Sequence, residues 1–355
     1  MSAQATILGR RCGSLGYGLM GLTWRPSPQP FEESIKTMKR ALELGADNWN
    51  GGEFYGTVEK NSMHLLKEYF TQYPDDADKV IVCIKGGAEK GGMMPIATEE
   101  NTRRTVDDCL ELLQGCSKKV IDIFEFARVD PKRGNAKALS VLADYVKAGK
   151  IGGIGLSEVS AKSIRASQKQ LVEQEGLKQG VASVEIELSL WAPDTLQNGI
   201  LAACAELDIP VFAYSPLARG ALSGDGVRKN ADLADTDFRK SQPKYQDDVL
   251  EVNNKITDAV KEVAKRKGAT TAQIAIAWVK GQTGRTRTVG LEDGGTKTVK
   301  LGTIIPIPGA TTVSRVEENF ADIVLDESEM KELDELVEKF PTVGDRYGDM
   351  TLNNG

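Results

Sequence analysis

The chain of 355 residues has one histidine, His64. That scarcity disfavours serine–histidine triads, histidine-ligated metals and histidine acid–base catalysis. His64 lies in "EKNSMHLLKEYF", where Met63, Leu66 and Tyr69 or Phe70 recur at helical spacing, so a surface or half-buried helical role is expected. No apolar run approaches the roughly 18 residues of a membrane span. The start "MSAQATILGRRCG" lacks a charged segment followed by a long apolar core, so no secretory signal is expected. The five cysteines, Cys12, Cys83, Cys109, Cys116 and Cys204, are odd in number and lack metal-ligand spacing. They predict free thiols in a reducing, cytoplasmic setting and no metal site. A net charge of -6 argues against a general nucleic-acid binder.

What the chain does have is alternation. Short apolar strands and amphipathic helices follow one another from near residue 14 to near residue 320. Strand patterns occur in "SLGYGLMGL", "DNWNGG", "KVIVCIKGG", "KVIDIFEFARVD", "IGGIGLS", "GVASVEIELSL", "IPVFAYSPL" and "LGTIIPIPGA". Between them, stretches such as "FEESIKTMKRALELG" and "NAKALSVLADYVKAGK" carry apolar stripes and stop at glycine. Repeated strand–helix units imply parallel pairing with right-handed crossovers. About eight of them close into an α/β fold, the (β/α)8 TIM barrel, with reactive groups at the C-terminal strand ends. A short N-terminal hairpin and a long loop after the seventh strand complete the expected single domain, 1–355. Residues 216–252 are too long for a plain connector and predict a lid over a ligand. Residues 282–302, polar and rich in glycine and threonine, predict an exposed hairpin turning at "EDGG".

"GYGLMG", residues 16–21, fits the G-x-G-x-x-G fingerprint of a dinucleotide fold. That fingerprint needs a helix starting at its third glycine. Pro26, Pro28 and Pro30 follow and argue against a helix there. A different stretch carries chemistry. "NGGEFYG" places Tyr55 in a glycine-rich turn after the second strand, and Lys85 ends the third. A free tyrosine, with a pKa of about 10, exchanges protons poorly at neutral pH. A neighbouring ammonium stabilises its phenolate, so the two together can protonate the oxyanion formed when hydride adds to a carbonyl. A surface lysine near a packed tyrosine is the structural alternative.

"GYGLMGL", "NGGEFYG", "CIKGG", "IDIFEFARVD", "GGIGLSE", "VEIELSLW", "AYSPLARGALSG" and "IPIPGATTVSRVEENF" occur in the order and spacing of the aldo-keto reductases, which the chain resembles over residues 14–320. The resemblance implies a barrel that binds NADPH across its C-terminal mouth and a reactive tetrad of aspartate, tyrosine, lysine and histidine. Tyr55 and Lys85 take the tyrosine and lysine places. Asn50 stands where the aspartate would be and Ala127 where the histidine would be. These departures resemble the fungal pyridoxal reductase branch, which implies NADPH-dependent reduction of pyridoxal to pyridoxine in vitamin B6 metabolism.

By the same matching, the substrate site would include Trp24, Glu53, Ala127 and Arg128. Ser157 falls at the nicotinamide carboxamide contact, with Glu158 replacing the common asparagine and Glu185 the common glutamine. Tyr214 resembles the ring that stacks on nicotinamide, and Gly18 and Met20 line the cofactor path. Ser215, Leu217, Arg219 and Gly220 correspond to the pyrophosphate loop. Gly309, Thr311, Arg315, Glu318 and Asn319 correspond to the adenosine end. Arg315 is a candidate partner for a 2′-phosphate, which would favour NADPH. Because Asn50 adds no negative charge, Lys85 is expected to act as a less neutralised cation and lower the pKa of Tyr55. Arg128 is expected in an outward salt bridge, with a phosphate or phenolate as the alternative. Competing readings are a broad-specificity aldehyde or ketone reductase, a sugar dehydrogenase, or a nucleotide-binding regulatory subunit of the potassium-channel β type.

Overall fold

Strands buried on both faces sort their side chains to two sides with a period of two, and that alternation explains the architecture. The structure, a computed structural model, describes residues 5–224, 226–291 and 293–347. An antiparallel hairpin comes first, β1 (Ala5–Ile7) and β2 (Arg10–Cys12). Eight parallel strands then pair in chain order: β3 (Tyr17–Gly18), β4 (Asn48–Gly52), β5 (Ile81–Gly86), β6 (Ile121–Phe126), β7 (Ile151–Ser157), β8 (Val181–Glu187), β9 (Val211–Tyr214) and β12 (Ile304–Pro306). A parallel bridge between Gly18 and Gly309 joins the last strand to the first. The amide of Gly16 donates to the Pro306 carbonyl at 3.0 Å and closes the barrel.

Inside, Ile81, Cys83, Ile123, Phe212 and Ile305 cluster with Ala5, Ile7 and Cys12 of the hairpin, which therefore plugs the N-terminal end. Outward residues of the same strands, such as Trp49, Val82, Phe124 and Val184, pack against the surrounding helices. With its lower end filled by apolar groups, the barrel has space for polar side chains only toward its C-terminal mouth.

Local signals fix the helices next to that mouth. Helix Ser62–Gln72 starts at Asn61, whose Oδ1 accepts from the amides of Met63 and His64 at 3.0 and 3.4 Å. His64 Nδ1 in turn accepts from the Asn61 amide, so the lone histidine is a half-buried capping residue, as its helical spacing implied. The 282–302 insert forms the expected hairpin, β10 (Thr286–Gly290) paired antiparallel with β11 (Thr296–Lys300).

Two expectations need correction. One helical turn, Met20–Thr23, does begin within "GYGLMG"; it ends at Trp24, before the first proline can remove a backbone donor. The segment 216–252 is not all loop, because helix Asp247–Lys267 begins within it. The part before that helix folds into short 3-10 turns, including Phe238–Ser241 and Pro243–Tyr245. Beyond the strand–helix pattern, helix Glu327–Lys339 leads into a tail that crosses to the mouth.

Gly56 sits at φ +130, and a methyl there would collide with the Lys60 carbonyl. Gly56→Ala should therefore destabilise the fold by roughly 1–3 kcal/mol, read by urea denaturation. A loss under about 0.5 kcal/mol would show that this turn relaxes freely.

Candidate active site

The glycine-rich turn aims Tyr55 at the mouth. Its carbonyl accepts from Thr23 Oγ1 at 2.6 Å and from the Ser62 amide at 3.1 Å. The Glu53 amide donates to the Lys85 carbonyl at 2.9 Å, which ties the turn to β5. Gly52 is needed for proximity: a Cβ there would lie 3.1 Å from the Tyr55 ring. Trp24 stacks on that ring with centroids 5.4 Å apart, and Phe54 meets it edge-on at 5.1 Å. Tyr55 is thus held on its apolar flanks by two aromatic neighbours.

Lys85 Nζ lies 5.9 Å from the centroid of the Tyr55 ring. Parallel register and inward parity gather its partners from three other strands. Asn50 on β4 accepts from Nζ through Oδ1 at 3.0 Å. Glu185 on β8 forms a short ion pair with the same ammonium, and its second oxygen accepts from Asn50 Nδ2 at 2.6 Å. Glu125 on β6, the register neighbour of Lys85, lies 3.4 Å from Nζ. All four side chains are buried.

This arrangement overturns one expectation. Lys85 is not short of negative charge, because Glu185 supplies what Asn50 does not. Burial works against the ammonium, but its neighbours, Glu185 foremost, outweigh it and hold the Lys85 pKa well above the usual lysine value. For Tyr55, burial comes first and Lys85 only partly offsets it, with Glu185 opposing Lys85; the pKa rises to about 12 rather than falling. Tyr55 is therefore protonated at neutral pH. Cys83, Glu125 and Glu185 offer ligand atoms within 4.8 Å of one another. A metal cation there would have to displace the Lys85 ammonium.

The other candidate residues divide into groups. Glu53 faces Arg104 of helix Glu99–Leu112 at 3.3 Å, and burial raises its pKa. Ala127 follows β6 and contributes no side-chain donor. Arg128 is not in an outward salt bridge. It turns into the mouth, donates to Tyr347 Oη at 3.1 Å and to the Ala127 carbonyl at 2.6 Å, and its buried Nε has no partner among the described residues. Inward burial follows from the aromatic shelf that Tyr347 offers, 5.3 Å from the guanidinium.

Along the cofactor path, Ser157 Oγ at the end of β7 is buried without a hydrogen-bond partner among the described residues. An orphaned hydroxyl there suits a polar group of a bound ligand. Glu158, at φ 50, accepts from Tyr214 Oη at 2.8 Å. Ser215, Ala218 and Arg219 all have φ near +50, a conformation costing about 1–3 kcal/mol for each non-glycine residue. The 229–245 segment offsets that strain: Tyr245 Oη donates to the Ala218 carbonyl at 2.8 Å and Arg239 Nη1 to the Arg219 carbonyl at 2.7 Å. Leu217 and Gly220 lie in the same loop. Gly18 and Gly309 share the closing bridge, Met20 and Arg315 are exposed, Thr311 and Glu318 are half-buried, and Asn319 is buried.

Sequence reasoning missed the tail. Val343 exchanges two hydrogen bonds with Asn253, at 2.8 and 3.0 Å, and directs the chain inward. Arg346 is buried against Glu158 at 2.8 Å and Glu187 at 3.4 Å. Tyr347 Oη bonds Tyr214 Oη at 2.9 Å, and its ring lies 4.7 Å from the Arg219 guanidinium. "FPTVGDRY" follows no motif, so only folding reveals that it caps the mouth. Glu125 did leave a signal, an acid inside "IDIFEF" at the inward parity of Ile123, shared with Lys85.

A closed barrel with a buried tyrosine–lysine pair at its mouth is a known arrangement. The sequence model of the Aldo/keto reductase family matches residues 14–338, and the chain belongs to that family. It is an oxidoreductase that uses a nicotinamide cofactor and reduces aldehydes or ketones. It is 34% identical to "Probable pyridoxal reductase 2" of Schizosaccharomyces pombe, over 96% of each chain. It is 35% identical to "Putative pyridoxal reductase" of Saccharomyces cerevisiae, over 94% of this chain and 95% of that one. Among solved structures, a glycerol dehydrogenase from Gluconobacter oxydans superposes with TM-score 0.75 at 20% identity, covering 98% of both chains. Among the described residues, no helix is long and apolar enough to cross a membrane.

Removing Arg346 takes a buried guanidinium away from both Glu158 and Glu187. Arg346→Ala should cost about 3–5 kcal/mol if the tail stays docked, and less if the tail swings out to hydrate Glu158 and Glu187. Undocking would be read as faster tryptic cleavage after Lys339. Unchanged stability together with unchanged cleavage would contradict the docked tail.

Proposed function

We propose that the enzyme reduces pyridoxal to pyridoxine with NADPH, using Tyr55 as general acid. The observation that carries this reading is a buried Tyr55 beside an ammonium locked in place by Glu185 and Asn50, with burial raising the tyrosine's pKa. The bound dinucleotide supplies the hydride. Tyr55 gives its proton to the oxygen that becomes an alkoxide, a stronger base than phenolate, so transfer is downhill even with the raised pKa. Lys85 stabilises the phenolate left behind. Arg128, charged and with one unsatisfied donor, suits a phenolate oxygen beside the aldehyde of pyridoxal. Ala127 leaves room for the ring. Support for the substrate comes from the two yeast relatives whose names give pyridoxal reduction. The tail and the Trp24 side exclude water around the reacting carbonyl. Five buried, unpaired cysteines suit a reducing compartment such as the cytoplasm.

Pyridoxal should drive loss of NADPH absorbance, and Tyr55→Phe should lower the rate by about 10²–10⁴. Tight NADPH binding without turnover of any aldehyde would instead favour a regulatory nucleotide-binding role. Because Tyr55 must be protonated for reduction and ionised for the reverse reaction, reduction should stay flat through neutral pH while alcohol oxidation climbs as pH approaches the raised Tyr55 pKa. A reduction rate that halves between pH 6 and pH 8 would contradict Tyr55 as the acid. For cofactor choice, Arg315→Ala should raise KM for NADPH about tenfold and leave KM for NADH nearly unchanged; equal changes would remove the 2′-phosphate assignment.

A further inference from the structure

Two carboxyls and one ammonium share the dry space behind Tyr55, and their arrangement differs from an aspartate beside a lysine. We infer that the charge partner of the catalytic lysine has moved across the barrel, from the Asn50 position on β4 to Glu185 on β8, so that Glu185 is a positioning residue that sets the proton affinity of Tyr55 through Lys85. This inference rests on the reductase reading of Tyr55 and Lys85. The geometry carries it. Glu185 has both oxygens engaged at this cluster, one by Lys85 and one by Asn50 Nδ2. Asn50 bridges the two, accepting from the ammonium and donating to the carboxylate, which an aspartate at position 50 could not do.

Glu125 explains why the cluster tolerates a second acid. It is fully buried, stands 3.4 Å from Nζ, and neither of its oxygens has a hydrogen-bond partner among the described residues. Burial first, and then the Glu185 charge, push its pKa well above the carboxylate range. That raised proton affinity leaves Glu185, which pairs with Nζ directly, as the principal counter-charge of the ammonium. The charged or titratable groups acting on Tyr55 are then Lys85 from β5, Glu185 from β8, Glu125 from β6 and Arg128 after β6.

The test is a double-mutant cycle on Asn50 and Glu185, read by alkaline tyrosinate absorbance. Each variant is compared with its own Tyr55→Phe counterpart, so that only Tyr55 contributes. Glu185→Gln leaves Lys85 without its counter-charge and should lower the Tyr55 ionisation pH by about one unit or more, the more so when Glu125→Gln removes the reserve acid. Asn50→Asp combined with Glu185→Gln returns a carboxylate to Lys85 and should restore both the wild-type ionisation and the melting temperature. Glu125→Gln alone leaves the Glu185 pair with Lys85 intact and should move Tyr55 less than Glu185→Gln does. If Glu185 acted only on the nicotinamide carboxamide, Glu185→Gln would alter cofactor affinity without moving Tyr55, and the inference would fail. It would also fail if Glu185→Gln did not fold and Asn50→Asp did not rescue it. The titration needs no turnover, so an enzyme inert toward every aldehyde would sink the reductase reading while still deciding where the lysine's partner lies.

Discussion

The site depends on keeping one ammonium out of water. Lys85 is buried inside a barrel whose lower end is sealed by the β1–β2 hairpin. A lone buried charge would cost several kcal/mol, so the barrel has to deliver partners from several strands at once. Inward parity does this, placing Asn50, Glu125 and Glu185 around Nζ and leaving the opposite side of the lysine to Tyr55. The raised proton affinities of Tyr55 and Glu125 both follow from that burial.

A second electrostatic layer lies above the first. Arg128, Arg219 and Arg346 surround the Tyr347 ring, while Glu158 and Glu187 take two of the three positive charges. The mouth thus keeps a cationic surplus of one guanidinium, suited to anionic groups on a dinucleotide or an aromatic substrate. The strained 215–220 loop sits in this layer, braced from behind by Tyr245 and Arg239. The long segment after β9 therefore works as a clamp on that loop.

The fold was legible because strand–helix alternation is a local property repeated around the barrel. Tyr55 and Lys85 were legible for a similar reason, each ending a strand of clear pattern. The charge state of the site was not. Asn50 in place of a carboxylate suggested an under-neutralised lysine, yet the compensating acid lies 135 residues away, and only closure of the barrel brings it within 2.6 Å of Asn50. Arg128 misled for the opposite reason: its neighbours in sequence suggest a surface pair, whereas its actual partner, Tyr347, is 219 residues on. Long-range pairing, with no local periodicity to announce it, is what single-sequence reading lacked at each of these positions.

If Tyr55 and Lys85 serve hydride addition to an aldehyde, the transferred hydrogen must pass from the dinucleotide to the carbonyl carbon. A single-turnover reaction of pyridoxal with NADPH deuterated at the transferred position tests it most directly. Deuterium is expected in the new carbinol group of pyridoxine for the wild type, with transfer slowed by orders of magnitude in Tyr55→Phe. Deuterium retained on the dinucleotide, or transfer indifferent to Tyr55, would contradict it.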